Sequence, residues 1–132
     1  MSQTGITPYR VLVADDDSVS RKITVLMLEK RGYSVSAVEN GRKVLAVLEE
    51  SRFDIVLMDI LMPELDGFET TKLIRDREKL TGEHIAILAM TAQAQRGDEQ
   101  RCLAAGMDGY LSKPIEMAKL LVAVESALRE GR

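Results

Sequence analysis

The sequence predicts an α/β domain: a five-stranded parallel sheet, ordered 2-1-3-4-5, with helices on both faces in a flavodoxin-like, doubly wound arrangement. Three observations carry that expectation. Short apolar runs alternate with helix-period stretches five times along 132 residues. Several of the runs are apolar without alternation, as strands covered on both faces must be. The carboxyl ends of the runs carry acidic, hydroxyl and basic residues, where an open α/β sheet places its ligands. Successive strand–helix–strand units close into parallel sheet by right-handed crossovers, and the length excludes a closed eight-stranded barrel.

Each element has its own signature. Val11-Leu12-Val13-Ala14 is a first strand, cut off by Asp15-Asp16-Asp17. Val19, Ile23, Leu26 and Lys30 follow helical spacing, with Asp17 or Ser18 as N-cap and Gly32 as the stop. Ser34 to Val38 alternates polar and apolar residues, as an edge strand does, and Asn40-Gly41 leads into a helix striped by Val44, Leu45, Val47 and Leu48. Ile55 to Met58 is the most continuous apolar run and ends at Asp59. Pro63 and Asp66-Gly67 mark a loop before a charged helix from Phe68 to Leu80. Ile85 to Met90 is a fourth strand ending at Thr91, and a weaker helix follows from Gln95 to Ala105 with Gly97 inside it. Tyr110 to Ser112 runs into Lys113-Pro114, and Met117, Leu120, Leu121, Val124 and Leu128 stripe the last helix.

Composition bounds the function. With 45% hydrophobic residues, 30% charged residues and three prolines, the chain is neither disordered nor fibrous. One cysteine excludes an internal disulfide framework and a multi-cysteine zinc site. A net charge of −3 argues against nucleic acid as a direct partner. No apolar run reaches the roughly 20 residues that span a bilayer, and no signal peptide opens the chain. The expectation is a cytoplasmic domain over 9–129, with a polar leader at 1–8 and a short tail at 130–132.

For strand order 2-1-3-4-5 the switch point lies between strands one and three. Its mouth collects Asp15, Asp16 and Asp17 after strand one and Asp59 after strand three, with Thr91 and Lys113 after strands four and five. Clustered carboxylates repel one another unless a cation joins them. Hard oxygen donors beside room for a phosphate suit Mg2+. Lys113 and the ion would neutralise the equatorial oxygens of a transferring phosphoryl group while Thr91 donates a hydrogen bond, leaving Asp59 as nucleophile.

Five segments, each weak alone, then make a specific set. They are Val11 to Asp17, Asp54 to Asp59, Met62-Pro63-Glu64-Leu65-Asp66-Gly67, Met90-Thr91-Ala92 and Gly109 to Pro114. In this order the chain resembles the receiver domain of two-component response regulators from about Tyr9 to Leu128. The resemblance implies that Asp59 is the phosphoacceptor and that Asp16 binds Mg2+, or Mn2+ in its place. Asp15 would bind the ion through water, and the Leu61 backbone carbonyl would complete the protein ligands. It also implies Thr91 as switch hydroxyl, Lys113 as phosphate-pairing cation, Tyr110 as rotating aromatic and a cis Lys113-Pro114 bond. The partners implied are a sensor histidine kinase or histidine phosphotransfer protein and a downstream protein that reads the helix 4–strand 5–helix 5 surface. Apolar Leu61 cannot orient a water whereas Gln93 could, so a moderate to long-lived phosphate is expected. Small Ala92 leaves the phosphate open to a donor.

Arg101 to Ile115 resembles receivers attached to hybrid sensor histidine kinases, which favours that origin over a stand-alone regulator. Rival functions fit less well. An aspartyl-phosphate phosphatase needs an acid where Leu61 stands, a nucleotide-binding module would not place three aspartates after strand one, and a binding-only pseudo-receiver has no need of Asp59, Thr91 and Lys113 together. Of the remaining polar residues, Asp17 reads as a helix cap and Asp66-Gly67 as a helix entry. His84 reads as a solvated loop residue, Cys102 as packing, and Arg75 to Lys79 as a solvated charged face.

Overall fold

The computed structural model describes residues 8–92 and 97–130. Ten elements alternate along them: β1 Arg10–Ala14, α1 Ser18–Lys30, β2 Ser34–Val38, α2 Gly41–Glu50, β3 Ile55–Asp59, α3 Gly67–Thr81, β4 Ala86–Thr91, α4 Asp98–Ala104, β5 Gly109–Ser112 and α5 Met117–Glu130. The strands form one sheet in the order β2-β1-β3-β4-β5, with every pairing parallel. β1, β3 and β4 are buried almost throughout, whereas edge strand β2 is exposed or half-buried along its length. The leader, apart from Pro8, and residues 131 and 132 of the tail lie outside the described residues, as do Gln93 and the first two residues expected of the fourth helix.

Alternate residues of each strand feed two cores. Val11, Val13, Ile55, Leu57, Leu88 and Met90 meet Leu28 of α1 and Leu120 and Val124 of α5. Leu12, Ala14, Val56, Met58, Ile87 and Ala89 meet Val44 of α2, Ile74 of α3 and Cys102 of α4. The period-two backbone sends neighbouring side chains to opposite faces, so a strand apolar at every position is what a sheet covered on both sides requires.

α1 departs from expectation. The aliphatic stripe that marks it as a helix is turned to solvent: Val19 is 64% exposed, Ile23 46% and Leu26 57%. The sheet is met instead by Thr24 and Leu28. Thr24 can face the core because its hydroxyl donates to the Ser20 carbonyl at 3.0 Å, leaving no unpaired polar group against the strands. Asp17 caps the helix as expected, accepting from the Ser20 amide at 3.0 Å.

α4 is shorter than predicted because Gly97 stands at its N-cap rather than inside it, at φ 92°. That left-handed conformation suits a glycine and not a helical interior. The Arg75–Lys79 run is not wholly a solvated face either. Arg75, 15% exposed, donates to the Gly106 carbonyl at 2.8 Å, the Ile85 carbonyl at 2.8 Å, Glu78 at 2.6 Å and Asp108 at 2.9 Å. Asp108 also accepts from the Ile87 amide at 2.8 Å and lies 2.8 Å from His84 Nε2, so the histidine expected to be merely solvated has a partner. This guanidinium ties α3 to the start of β4 and to the α4–β5 turn. Among the described residues no helix is long and apolar enough to cross a membrane.

Removing the Arg75 side chain leaves two main-chain carbonyls and two carboxylates short of donors. Arg75→Met is expected to lower stability by about 2–4 kcal/mol, read as a shift in urea midpoint at unchanged slope.

Candidate functional site

The strand order makes the site. β1 lies beside β3, with Ala14 paired to Met58, so the residues that follow them, Asp15 and Asp59, emerge together at the carboxyl edge of the sheet. The Asp15 amide donates to the Val38 carbonyl at 3.2 Å, which carries the β1–β2 pairing one residue further. On the other side of β3, β4 ends at Thr91, which is paired with Ser112 of β5. The Lys113 amide donates to the Thr91 carbonyl at 2.8 Å, and the bond to Pro114 is cis as expected. From there the Lys113 ammonium reaches back across the edge and donates to Asp15 Oδ2 at 2.9 Å and to Asp59 Oδ2 at 3.1 Å. Two strands that do not touch β5 are thereby joined to it through one side chain.

All three groups are shielded from water, with side-chain exposures of 14% for Lys113, 0% for Asp15 and 8% for Asp59. Burial works against the Asp15 charge, but bonds from Lys113, the Asp17 amide and Ser20 outweigh it and hold this carboxyl below the usual range. Burial alone would lower Lys113, yet its two carboxylate partners hold it above the ordinary lysine value. Asp59 is different. Burial drives it up, Lys113 pulls it down, the Asp15 charge pushes it up again, and the result is about 6. Exposed Asp16 completes a trio whose ligand oxygens lie within 4.8 Å of one another, so the cluster could hold a metal ion. One ammonium for three carboxylates leaves an excess of two negative charges, which a divalent cation would balance.

A close packing contact holds the loop that follows Asp59. The Gly67 amide donates to the Ile60 carbonyl at 2.8 Å, and a Cβ on Gly67 would stand 2.7 Å from the Asp59 carbonyl oxygen. A side chain there would push α3 away from the carboxyl end of β3. Asp66 and Glu69 close a reciprocal capping box at this helix start. Glu64 takes a left-handed backbone at φ 69°, and Arg42 on α2 pairs with it at 3.4 Å. The Leu61 amide donates to Asp59 Oδ1 at 3.3 Å, while its side chain is 54% exposed over the mouth.

The chain matches the response regulator receiver domain family over residues 11–125. It belongs to that family.

Among relatives, this receiver is 40% identical over 129 residues to hybrid signal transduction histidine kinase I of Dictyostelium discoideum, covering 94% of this chain and 7% of the kinase. It is 36% identical to the polar-differentiation response regulator DivK of Brucella anthropi, covering 94% of this chain and 99% of that one. The receiver therefore spans a small part of the hybrid kinases it matches and nearly all of DivK. Among solved structures, the receiver domain of sensor histidine kinase PA1611 of Pseudomonas aeruginosa, with a magnesium ion in its active-site cleft, superposes with a TM-score of 0.82. It is 34% identical over 92% of this chain and 98% of that one. The receiver of Saccharomyces cerevisiae Ssk1, crystallised with the phosphotransfer protein Ypd1, gives 0.81 at 28% identity, covering 94% of this chain and 88% of that one.

The structure brings Asp15, Asp16, Asp59, Leu61 and Lys113 of the sequence-predicted residues together at the mouth. Thr91, 3% exposed, ends the neighbouring strand. Tyr110 of β5 pairs with Ala89 of β4 and packs, partly buried, against the α2–α3–α4 core. Sequence reasoning missed the close packing of Gly67 and the left-handed Glu64. The Asp66-Gly67 step was visible only as a turn, and nothing at Glu64 departs from ordinary turn composition.

Lys113 only partly compensates the charge at Asp59. Its carboxyl rises from 3.8 to about 6, so the ionised form costs stability that is absent below about pH 4 and fully felt above about pH 6. Asp59→Asn is expected to be more stable than wild type by about 1–2 kcal/mol at pH 7.5 without divalent ions. The difference should narrow in millimolar Mg2+ and vanish near pH 4, as measured by thermal and urea unfolding.

Proposed function

We propose that this receiver accepts a phosphoryl group on Asp59 from a phosphohistidine of a sensor kinase or histidine phosphotransfer protein, and thereby switches a signalling surface. The observation that carries the reading is the Lys113 ammonium, bonded to Asp59 at 3.1 Å and to Asp15 at 2.9 Å inside a buried mouth. An Asp59 carboxylate oxygen attacks phosphorus, the phosphorus–nitrogen bond of the donor breaks, and the imidazole leaves with that electron pair. Lys113, already fixed, neutralises the charge on the transferring oxygens without reorganising. The Leu61 amide, 3.3 Å from Asp59, would bond those oxygens, and the Thr91 hydroxyl at the end of β4 would add a second donor. Asp16, Asp59 and the Leu61 carbonyl would hold Mg2+, or Mn2+, with Asp15 acting through water. When bound, the ion supplies charge neutralisation on the phosphoryl oxygens.

Leu61 offers no general acid to a phosphatase and cannot orient a hydrolytic water, which favours a persistent phosphate. Gln93, the other residue expected to tune its lifetime, lies outside the described residues. In switching, the phosphoryl group draws Thr91 towards it and Tyr110 turns into the space released. α4, a seven-residue helix without a side-chain N-cap bond, is the element that shifts. As an isolated domain the chain catalyses only its own phosphorylation and dephosphorylation. Within a hybrid histidine kinase it would be the relay acceptor.

The exposed aliphatic face of α1 fits the donor. Val19 stands two residues beyond the N-cap Asp17, beside the mouth, and Leu61 adds a second exposed aliphatic there. A protein that brings a phosphohistidine to Asp59 must cover this ground.

Incubation with acetyl phosphate and Mg2+ is expected to add one phosphoryl group to the intact mass of wild type and none to Asp59→Asn. Uptake by the variant at the wild-type rate would overturn the assignment. Ile23→Asp is expected to slow transfer from a phosphohistidine protein about tenfold, the equivalent of about 1.4 kcal/mol of docking energy, relative to its loading by acetyl phosphate. Stopped quench assays with each donor read that ratio.

A further inference from the structure

Asp16 is the least supported member of the carboxylate trio. Asp15 is held by Lys113 at 2.9 Å and by the Asp17 amide at 3.0 Å, and Asp59 by Lys113 at 3.1 Å and the Leu61 amide at 3.3 Å. Asp16 is exposed, and no hydrogen bond to its carboxylate is found among the described residues. The point from which it reaches the mouth is set by the main chain.

That main chain is bracketed by one residue. The Arg21 guanidinium on α1 donates through Nη1 to the Asp15 carbonyl oxygen at 2.7 Å, the carbonyl of the peptide joining Asp15 to Asp16. The Arg21 amide donates to the Asp17 carbonyl at 2.9 Å. The Asp15–Asp16 peptide is thus fastened to the first turn of α1 only through the Arg21 side chain, while the Asp16–Asp17 peptide is held by the Asp17 amide on Asp15 Oδ1 at 3.0 Å and the next peptide by the first bond of the helix. A ligating carboxylate gains affinity when its carrier is already oriented, because ordering it on binding costs free energy.

We propose that Arg21 is a positioning residue for the divalent-cation site, fixing through the Asp15 carbonyl the backbone that aims Asp16. The proposal rests on the reading of the acidic cluster as that site. A competing effect has the opposite sign, since a guanidinium near carboxylates repels an incoming cation. One feature limits it: the guanidinium bonds to the Asp15 main-chain carbonyl and not to any carboxylate of the trio.

The test is Mg2+ affinity of the folded chain, titrated calorimetrically with MgCl2 alone, for wild type, Arg21→Met and Arg21→Lys. Arg21→Met is expected to weaken Mg2+ binding by about tenfold or more, the usual effect of losing an outer-shell support. Arg21→Lys, which keeps a donor of similar reach, should recover most of it. The Mg2+ concentration for half-maximal acetyl phosphate loading should move by the same factor, with the shift in the midpoint and not in the plateau. Should Arg21→Met fail to fold, Arg21→Gln reads the same quantity. Unchanged or tighter Mg2+ binding in the Met or Gln variant overturns the positioning role while leaving the cation site intact. Absence of Mg2+ binding by wild type overturns both.

Discussion

One ammonium holds this site together. Lys113 is buried between Asp15 and Asp59, and it joins the end of β5 to the ends of the neighbouring pair β1 and β3, neither of which touches β5. The charges are desolvated, so they can be kept only in close, bonded contact. Yet one positive charge cannot satisfy three carboxylates. The imbalance is distributed unevenly: Asp15 takes most of the available hydrogen bonds and stays low, while Asp59 is left about 6. Of the two buried carboxylates the less stabilised is therefore Asp59, at the centre of the edge, where added cationic charge changes the balance most. Fold stability and reactivity meet at this point, because what destabilises Asp59 as an ordinary carboxylate also makes it responsive.

The rest of the molecule prepares that edge. Two aliphatic cores sandwich the sheet and fix the heights at which β1 and β3 stop. Gly67 lets α3 start against the carbonyl of Asp59, so the loop leaving the site is pinned where a larger residue would collide. The far end of the domain is tied just as firmly through Arg75 and Asp108. α4 lies between these regimes, its end anchored at the Gly106 turn and its start marked by Gly97 with no side-chain cap. A helix fixed at one end and loosely started at the other can change position without unfolding its neighbours.

Much of this was legible in the sequence, and the failures have physical causes. Strand ends were readable because apolar runs stop abruptly at Asp15 and Asp59, and the β2 edge because it alternates. The topology followed from strand–helix alternation, which leaves few chain paths. The residues that gather at the mouth were readable because they stand at the carboxyl ends of strands, a position set by connectivity and not by side-chain detail. What escaped depends on three-dimensional partners. Periodicity identified α1 but not its buried face, since Thr24 hides its polarity in a local bond and lets the aliphatic stripe turn outward. Arg75 sits in a run of charges and is distinguished only by the carbonyls that converge on it. Gly97 looked like a weak spot in a helix and is its beginning. Arg21 reads as one more surface cation until its distance to the Asp15 carbonyl is known.

The proposed role of Asp59 is that of the one covalent acceptor in a mouth organised by Lys113. Its most direct test is to load the protein with acetyl phosphate and Mg2+, reduce the acyl phosphate with borohydride, and map the product by peptide mass. The expected result is conversion of the residue at position 59 to homoserine and modification nowhere else. Reduction products at Asp15, Asp16 or Asp17, or a stable phosphate on His84, would contradict it.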